Sequence, residues 1–487
     1  MSQIRVNDLT FHYEGSYDNI FEHTSFSIDT GWKLGFVGRN GRGKTTFLKL
    51  LMGEHDYEGT ISSSVAFDYF PFPVADTSLT TEEVFISIAE APRWRLEKEL
   101  NLLEVEPSAL DRAFSTLSPG EQTKVLLAAL FSRSGHFLLI DEPTNHLDME
   151  ARAVVSRYLS GKQGFILVSH DRAFLDGCVD HILSINRASI EVQKGNFTSW
   201  EENRRRQDNF ELAEHERLSR EIDDLRTAAK RTAEWSDRLE RSKIGEHSLD
   251  RGFIGAQSAR VMKRAKAAER RQESAAKEKE KLLKDLERND TLKVTPLRHH
   301  ADILVEALDL SIVYGERIVT GPLNFTLRQG ERAALMGRNG SGKSSIVKLL
   351  TGEDIPHTGT LRTASGLVIS YMPQDTSFLC GTVLDFAREH NLDETLFLTI
   401  LRKLDFPRVQ FEKDMRSFSG GQKKKALLAK TLSERAHLYV WDEPLNFVDV
   451  LSRMQIRDLL LAAKPTMLFV EHDRTFVDEI ATRQIRL

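Results

Sequence analysis

Residues Gly38–Thr46 read GRNGRGKTT, and Gly337–Ser345 read GRNGSGKSS. The first stretch follows an apolar segment (Leu34, Phe36, Val37) and precedes a helical one (Phe47, Leu48, Leu50, Leu51). Strand, glycine loop and helix start form the context that a phosphate-binding loop requires. Glycines let backbone N–H groups close around phosphate oxygens, and the helix N-terminus adds partial positive charge. In this reading Gly38, Asn40, Gly41 and Gly43 shape the first cradle and Lys44 reaches the β- and γ-phosphates of ATP. The Thr45 hydroxyl serves Mg2+, with Thr46 beside it. Gly337, Asn339, Gly340, Gly342, Lys343, Ser344 and Ser345 repeat the set.

The repetition extends outward. LSPGEQ at Leu117–Gln122 returns as FSGGQ at Phe418–Gln422. FLLIDEP, ending at Pro143, returns as LYVWDEP, ending at Pro444, and SHDRAF from Ser169 returns as EHDRTF from Glu471. Lys44 and Lys343 lie 299 apart, Glu142 and Glu443 lie 301 apart, and His170 and His472 lie 302 apart. Four motifs in one order at nearly one offset mark a duplication. Phe137–Ile140 is an apolar strand ending in Asp141 and Glu142; Asp141 suits Mg2+, and Glu142 suits a general base that polarises water. Asp442 and Glu443 match them. Ser118, Gly120 and Gln122 head a Leu- and Ala-rich helix, a start suited to an anion; Ser419, Gly420, Gly421 and Gln422 do the same in the second copy.

The copies are not identical. The second carries Gln374 in YMPQD, an amide suited to contact Mg2+ and water; the first reads YFPFP, with Phe72 there. Phe72 cannot ligate a metal. Pro119 stands where the signature has its first glycine and has no N–H to donate. EPTNHLD in the first copy becomes EPLNFVD in the second, through Leu445 and Phe447. The two sites are therefore expected to be unequal.

Composition narrows the class. The chain has 487 residues, 40% hydrophobic and 29% charged. No apolar run approaches the roughly 20 residues of a membrane span, and MSQIRVNDLTF lacks the features of a signal peptide. Cys178 and Cys380 form no CxxC pair, which fits a reducing, cytoplasmic setting without structural zinc. Between the copies, residues 201–290 contain no proline and are dominated by Glu, Lys, Arg, Ala and Leu, all good helix formers. They read as two helices, 199–243 and 256–289, reaching roughly 50–65 Å and joined by a turn with Gly245, Gly252 and Gly255. Residues 251–271 carry a local charge of +6, against −5 for the whole chain. Arg251, Arg260, Lys263, Arg264 and Lys266 in this strip are candidates for RNA phosphates, and Leu249, Phe253 and Ile254 for the hairpin stem or a probe of RNA bases.

Phosphate loop, LSGGQ-like signature, Asp-Glu strand and histidine, in that order and twice, resemble ATP-binding cassettes. The resemblance implies a head-to-tail pairing within one chain, without obligate homo-oligomers. Lys44 would share one nucleotide with Ser419, Gly420 and Gly421, and Lys343 another with Ser118 and Gly120. It also implies that His170 and His472 contact the γ-phosphate, that Asp148 and Asp449 sit in loops linking the sites, and that Tyr13 and Tyr314 stack on adenine. The tandem cassettes, the linker and KGNFTSW at Lys194–Trp200 make the whole chain similar to the ABC-F translation-related ATPases. The expected fold is α/β: cassettes at 1–200 and 293–487 joined by a helical hairpin at 201–292. Expected partners are the ribosome's large-subunit RNA and P-site tRNA, not a membrane. AEWSDRLERSKIG, DRGFIGAQSARVMKRAKAAERR and EPLNFVDV resemble the antibiotic-resistance branch acting against lincosamides, streptogramin A and pleuromutilins. The short spans from Phe72 to Ser118 and from Gln374 to Ser419, and the 15 residues after His472, agree with that branch. A housekeeping factor for stalled ribosomes stays open beside it; a transporter subunit or DNA clamp fits the linker poorly.

Overall fold

A computed structural model describes residues 2–13, 19–89, 91–133, 135–145, 147–185, 190–207, 294–315, 317–338 and 340–487, with scattered positions from 209 to 274. The chain divides into two compact units. One comprises Met1–Trp200 together with Asp290–Leu487, and the other Glu201–Asn289. Residues 201–207 are helical. The scattered positions described from 209 to 274 are helical as well. The remaining residues of the two expected linker helices, and Leu249, Arg251, Phe253, Ile254, Arg260, Lys263, Arg264 and Lys266, lie outside the described residues.

In the first unit each motif set builds one α/β body. The first sheet runs Ala66–Phe70, His136–Asp141, Phe165–Val168, Lys33–Val37, His181–Ile185, Ile190–Lys194. All pairs are parallel except the last. The second runs Ile369–Met372, Leu438–Asp442, Met467–Val470, Arg332–Met336, Arg483–Arg486, all parallel. Strands covered on both faces read as continuous apolar runs: FILV at Phe165–Val168 and MLFV at Met467–Val470 are buried throughout. A small antiparallel sheet accompanies each, built around Gln3–Phe11 in the first body and Ile303–Tyr314 in the second.

This topology gathers the motifs. The phosphate loops, the Asp-Glu pairs and the histidines all follow the carboxyl ends of neighbouring parallel strands, where ligands bind in open α/β sheets. The helices Lys44–Leu51 and Lys343–Leu350 begin behind Gly43 and Gly342, at φ +93° and +91°. A Cβ at Gly43 would lie 2.4 Å from Ile20 Cγ2, and one at Gly342 2.2 Å from Thr320 Oγ1, so only glycine fits. The bodies pack on each other: Val450 joins the first body's core, with Leu451 and Met454 against it.

Candidate active site

Lys44 Nζ donates to the Gly38 and Arg39 carbonyls at 2.8 and 3.2 Å and lies 3.5 Å from Asn40 Oδ1. Lys343 Nζ donates to the Gly337 and Arg338 carbonyls at 2.8 and 2.9 Å. Both loops thus curl around their own ammonium, and burial lowers both lysine pKa values. Gly41 and Gly340 take φ of +80° and +79° in the bends. Asn339 lies outside the described residues. Tyr13 and Tyr314 stand at these loops, hydroxyl to hydroxyl with Thr46 at 2.9 Å and Ser345 at 3.0 Å. Tyr13 lies two residues beyond its strand, which ends at Phe11.

The cassettes meet head to tail. A cleft of about 880 Å3 is lined by Gly340, Gly342, Lys343, Ser344, Ser345 and Tyr314 from the second body and by Ser118, Gly120, Glu121 and Asp148 from the first. Gln374, Glu443 and His472 complete it. At the other junction Asn40 Nδ2 donates to the Phe447 carbonyl at 2.7 Å. A Cβ on Gly421 would fall 2.5 Å from that carbonyl and 2.8 Å from Asn40 Nδ2. The first phosphate loop therefore lies against the second signature, Ser419–Gly421.

Within each site the Asp-Glu pair is held differently. Glu142 and Glu443 both leave their strands at left-handed backbone, φ +50° and +49°, a conformation costing on the order of 1–3 kcal/mol and typical of functional positions. Each has a histidine Nε2 3.3 Å from its Oε1. Glu443 Oε2 also accepts from Gln374 Nε2 at 2.7 Å and Asn446 Nδ2 at 2.5 Å. Burial works against its charge, but His472, Gln374 and Lys424 hold its pKa below the ordinary value. Phe72, in Gln374's place, packs against the first hydrophobic core instead. Glu142 Oε1 is buried without a hydrogen bond among the described residues. Burial, then the charge of Asp141, pushes the Glu142 pKa up to about 8. Burial, then Lys44 and Arg453, holds His170 well below its ordinary value.

The aspartates differ too. Asp141 Oδ2 accepts from Thr45 Oγ1 at 2.8 Å and from Tyr69 OH at 3.0 Å. Asp442 is bonded by Ser344, yet its Oδ1 is buried without a hydrogen bond among the described residues. An orphaned carboxylate oxygen beside a serine hydroxyl fits a hard divalent cation. Asp449, fully buried, caps the helix Val450–Ala463 and pairs with Lys425 at 2.9 Å, which outweighs burial and lowers its pKa. Asp148 caps the corresponding first-body helix at Ala151 N, 2.9 Å.

One sequence expectation is corrected. Gln122 does not occupy the signature position: its Nε2 donates to the Phe114 and Leu117 carbonyls at 3.1 and 3.3 Å. Glu121 is the counterpart of Gln422. Both stand third in their helices and close a capping box with Ser118 and Ser419. Pro119 takes the place of Gly420 at the first helical position without shifting the register, so Glu121 and Gln422 each stand three residues after the serine. Motif reading also passed over Tyr69, Glu121, Asn446, Glu471 and Arg152. Glu471 replaces Ser169 of the first copy, and its carboxylate accepts from the backbone N–H groups of Leu445, His472 and Asp473 at 2.8, 2.9 and 3.4 Å. The EHD-for-SHD exchange was the available signal.

A family model described as "ABC transporter" matches residues 21–145 and 320–446, together half of the chain. The chain belongs to the ABC family, in its ABC-F group. As a member it is an ATP hydrolase, and its cassettes are of the ATP-binding type. It is 28% identical to "Ribosome protection protein VmlR" of Bacillus subtilis (strain 168), over 97% of this chain and 85% of that one. It is 27% identical to "Energy-dependent translational throttle protein EttA" of Escherichia coli (strain K12), over 95% and 88%. Among solved structures, an archaeal ribosome recycling factor in complex with a ribosomal stalk protein aligns with TM-score 0.62 at 21% identity, covering 98% of this chain and 87% of that chain. The "RNase-L Inhibitor" aligns with TM-score 0.62 over 99% and 87%. At that identity the likeness concerns the fold. Among the described residues, no helix of this ABC-F protein is long and apolar enough to cross a membrane.

Proposed function

We propose that this ABC-F chain is an ATP-dependent ribosomal protection protein of the cytoplasm. ATP-bound protein enters the tRNA exit site, its linker tip reaches toward the peptidyl-transferase centre and dislodges antibiotic, and hydrolysis releases it. The observation that carries the reading is full-length similarity to relatives named for ribosome protection and translational control. The names do not choose between them, because the match to the translational throttle is nearly as strong. That supports a second reading as a housekeeping factor on stalled ribosomes.

The chain's own residues support the chemistry. Lys44 and Lys343 exchange loop carbonyls for phosphate oxygens, and Tyr13 and Tyr314 present rings to adenine. Ser118 and Gly120, or Ser419–Gly421, close the opposite side. Glu443 is ionised at neutral pH and can orient and deprotonate water, while His472 holds Glu443 and faces the γ-phosphate. Thr45 and Asp141, or Ser344, Asp442 and Gln374, are the residues that would hold Mg2+. When bound, that ion neutralises charge on the β- and γ-phosphates.

A Glu142→Gln, Glu443→Gln double variant should sediment with ribosomes in ATP. Failure to do so sinks both translation readings. Expression in a sensitive bacterium should raise inhibitory concentrations of lincosamides, streptogramin A or pleuromutilins; an unchanged panel leaves the housekeeping reading. Neutralising Arg260, Lys263, Arg264 and Lys266 should weaken ribosome binding and flatten its salt dependence.

A further inference from the structure

The His472 peptide is held at both ends. Its N–H donates to Glu471 Oε2 at 2.9 Å, and its carbonyl accepts from Arg152 Nη1 at 3.3 Å. Arg152 comes from the first cassette, 320 residues away. The same guanidinium donates to Leu147 O at 3.0 Å, Thr144 O at 3.2 Å and Asp171 Oδ2 at 3.0 Å. Four acceptors around one planar fork suit arginine and cannot all be served by a lysine ammonium. Arg152 also lines the cleft that holds Lys343, Gln374 and Glu443.

The mirror residue lacks one of these bonds. Arg453 donates to Val448 O at 2.9 Å, Leu445 O at 2.8 Å and Asp473 Oδ2 at 3.0 Å. Among the described residues the His170 carbonyl receives no bond from it. Ser169 there stands in for Glu471; its Oγ accepts from Asp171 N at 3.2 Å and, among the described residues, accepts nothing from the His170 N–H. The His170 N–H bonds the Glu142 carboxylate, so the difference lies at the carbonyl: that of His472 is held from the other cassette, and among the described residues that of His170 is not.

We propose that Arg152 is a positioning residue of the second site, through which the first cassette sets the His472–Glu443 pair. This rests on the reading of Glu443 as the base of that site. With both ends of the His472 peptide fixed, the imidazole has one starting point from which to stand 3.3 Å from Glu443. One of the two fixings crosses the cassette interface, so the pair is set only while the cassettes are apposed. Hydrolysis at the Lys343 site is thereby tied to closure by a contact that the Lys44 site does not have.

The test is ATP turnover in Glu142→Gln, where the Lys343 site works alone, and in Glu443→Gln, where the Lys44 site does. Arg152→Lys is added to each; it keeps a cation for Asp171 and loses the fork. In the Glu142→Gln background it should lower kcat about tenfold with the KM for ATP within about twofold, since small misplacements of reacting groups act on kcat. In the Glu443→Gln background the loss should be smaller, about threefold or less. Glu150→Gln removes another inter-cassette contact, the exposed pair with Arg338 at 3.0 Å, and should leave kcat unchanged. Equal kcat losses in both backgrounds, or a raised KM at constant kcat, would overturn the proposal while sparing the assignment of the bases. If the two single glutamine variants do not themselves lower turnover, that assignment falls and the proposal with it. Should Arg152→Lys not fold, Arg152→Gln carries the same comparison.

Discussion

The two nucleotide sites share a scaffold and differ in how they treat one carboxylate. Glu443 stands among Gln374, Asn446 and His472 and stays charged. Glu142 has Phe72, packed against the core, where a glutamine amide would be, an unbonded Oε1, and a pKa pushed up to about 8. A fully buried carboxylate beside another carboxylate takes a proton even with one backbone donor, while one held by several donors keeps its charge. His472, Gln374 and Lys424 together keep Glu443 charged against its burial, whereas burial and the Asp141 charge raise Glu142.

The most severe way to break that contrast is Glu443→Gln, which should lower ATP turnover roughly 100-fold or more, as loss of a general base does. Glu142→Gln should cost much less at pH 7, and steady-state kinetics of the two variants checks the order. Next in size is the pH profile of the Glu443→Gln variant, whose remaining site relies on Glu142. Its turnover should climb about tenfold between pH 7 and 9 as that carboxyl ionises, whereas Glu142→Gln should not show the climb.

The same group bears on stability. Its folded value lies above its ordinary 4.5, so its contribution is complete below that value and disappears as pH rises through about 8. The nucleotide-free protein should therefore lose thermal stability across that window, and Glu142→Gln should flatten the loss in a melting series. Sharpening comes from Phe72→Gln, which offers Glu142 the missing amide. First-site turnover at pH 7, read in the Glu443→Gln background, should rise about fivefold, close to the 1 kcal/mol of one hydrogen bond. Smallest is Tyr69→Phe, which removes one of two donors on Asp141 Oδ2 and should change Mg2+ affinity at the first site by about threefold, measured by titration.

Much of this was legible in the chain itself. Glycines, lysines and acidic strand ends recur at a fixed offset because a phosphate cradle needs them contiguous along the backbone, and contiguous needs leave contiguous motifs. Phe72 announced the unequal sites for the same reason: it sits at a fixed distance from its strand. Gln122 misled by its residue type, a glutamine matched to the glutamine of FSGGQ, although a count of three from Ser118, as from Ser419, reaches Glu121, where the capping box places it. Tyr69 and Arg152 left no motif, since Asp141 and His472 lie 72 and 320 residues away from them, and Glu471 showed only as the EHD-for-SHD exchange. The sequence by itself determined the two cassettes, the chemistry each loop supports and the site that departs from the pattern. Tertiary structure alone decided which carboxylate keeps its charge and which histidine carbonyl is held from the other cassette, because the first depends on burial and on donors distant in sequence that the fold gathers, and the second on an arginine that arrives only when the cassettes pack.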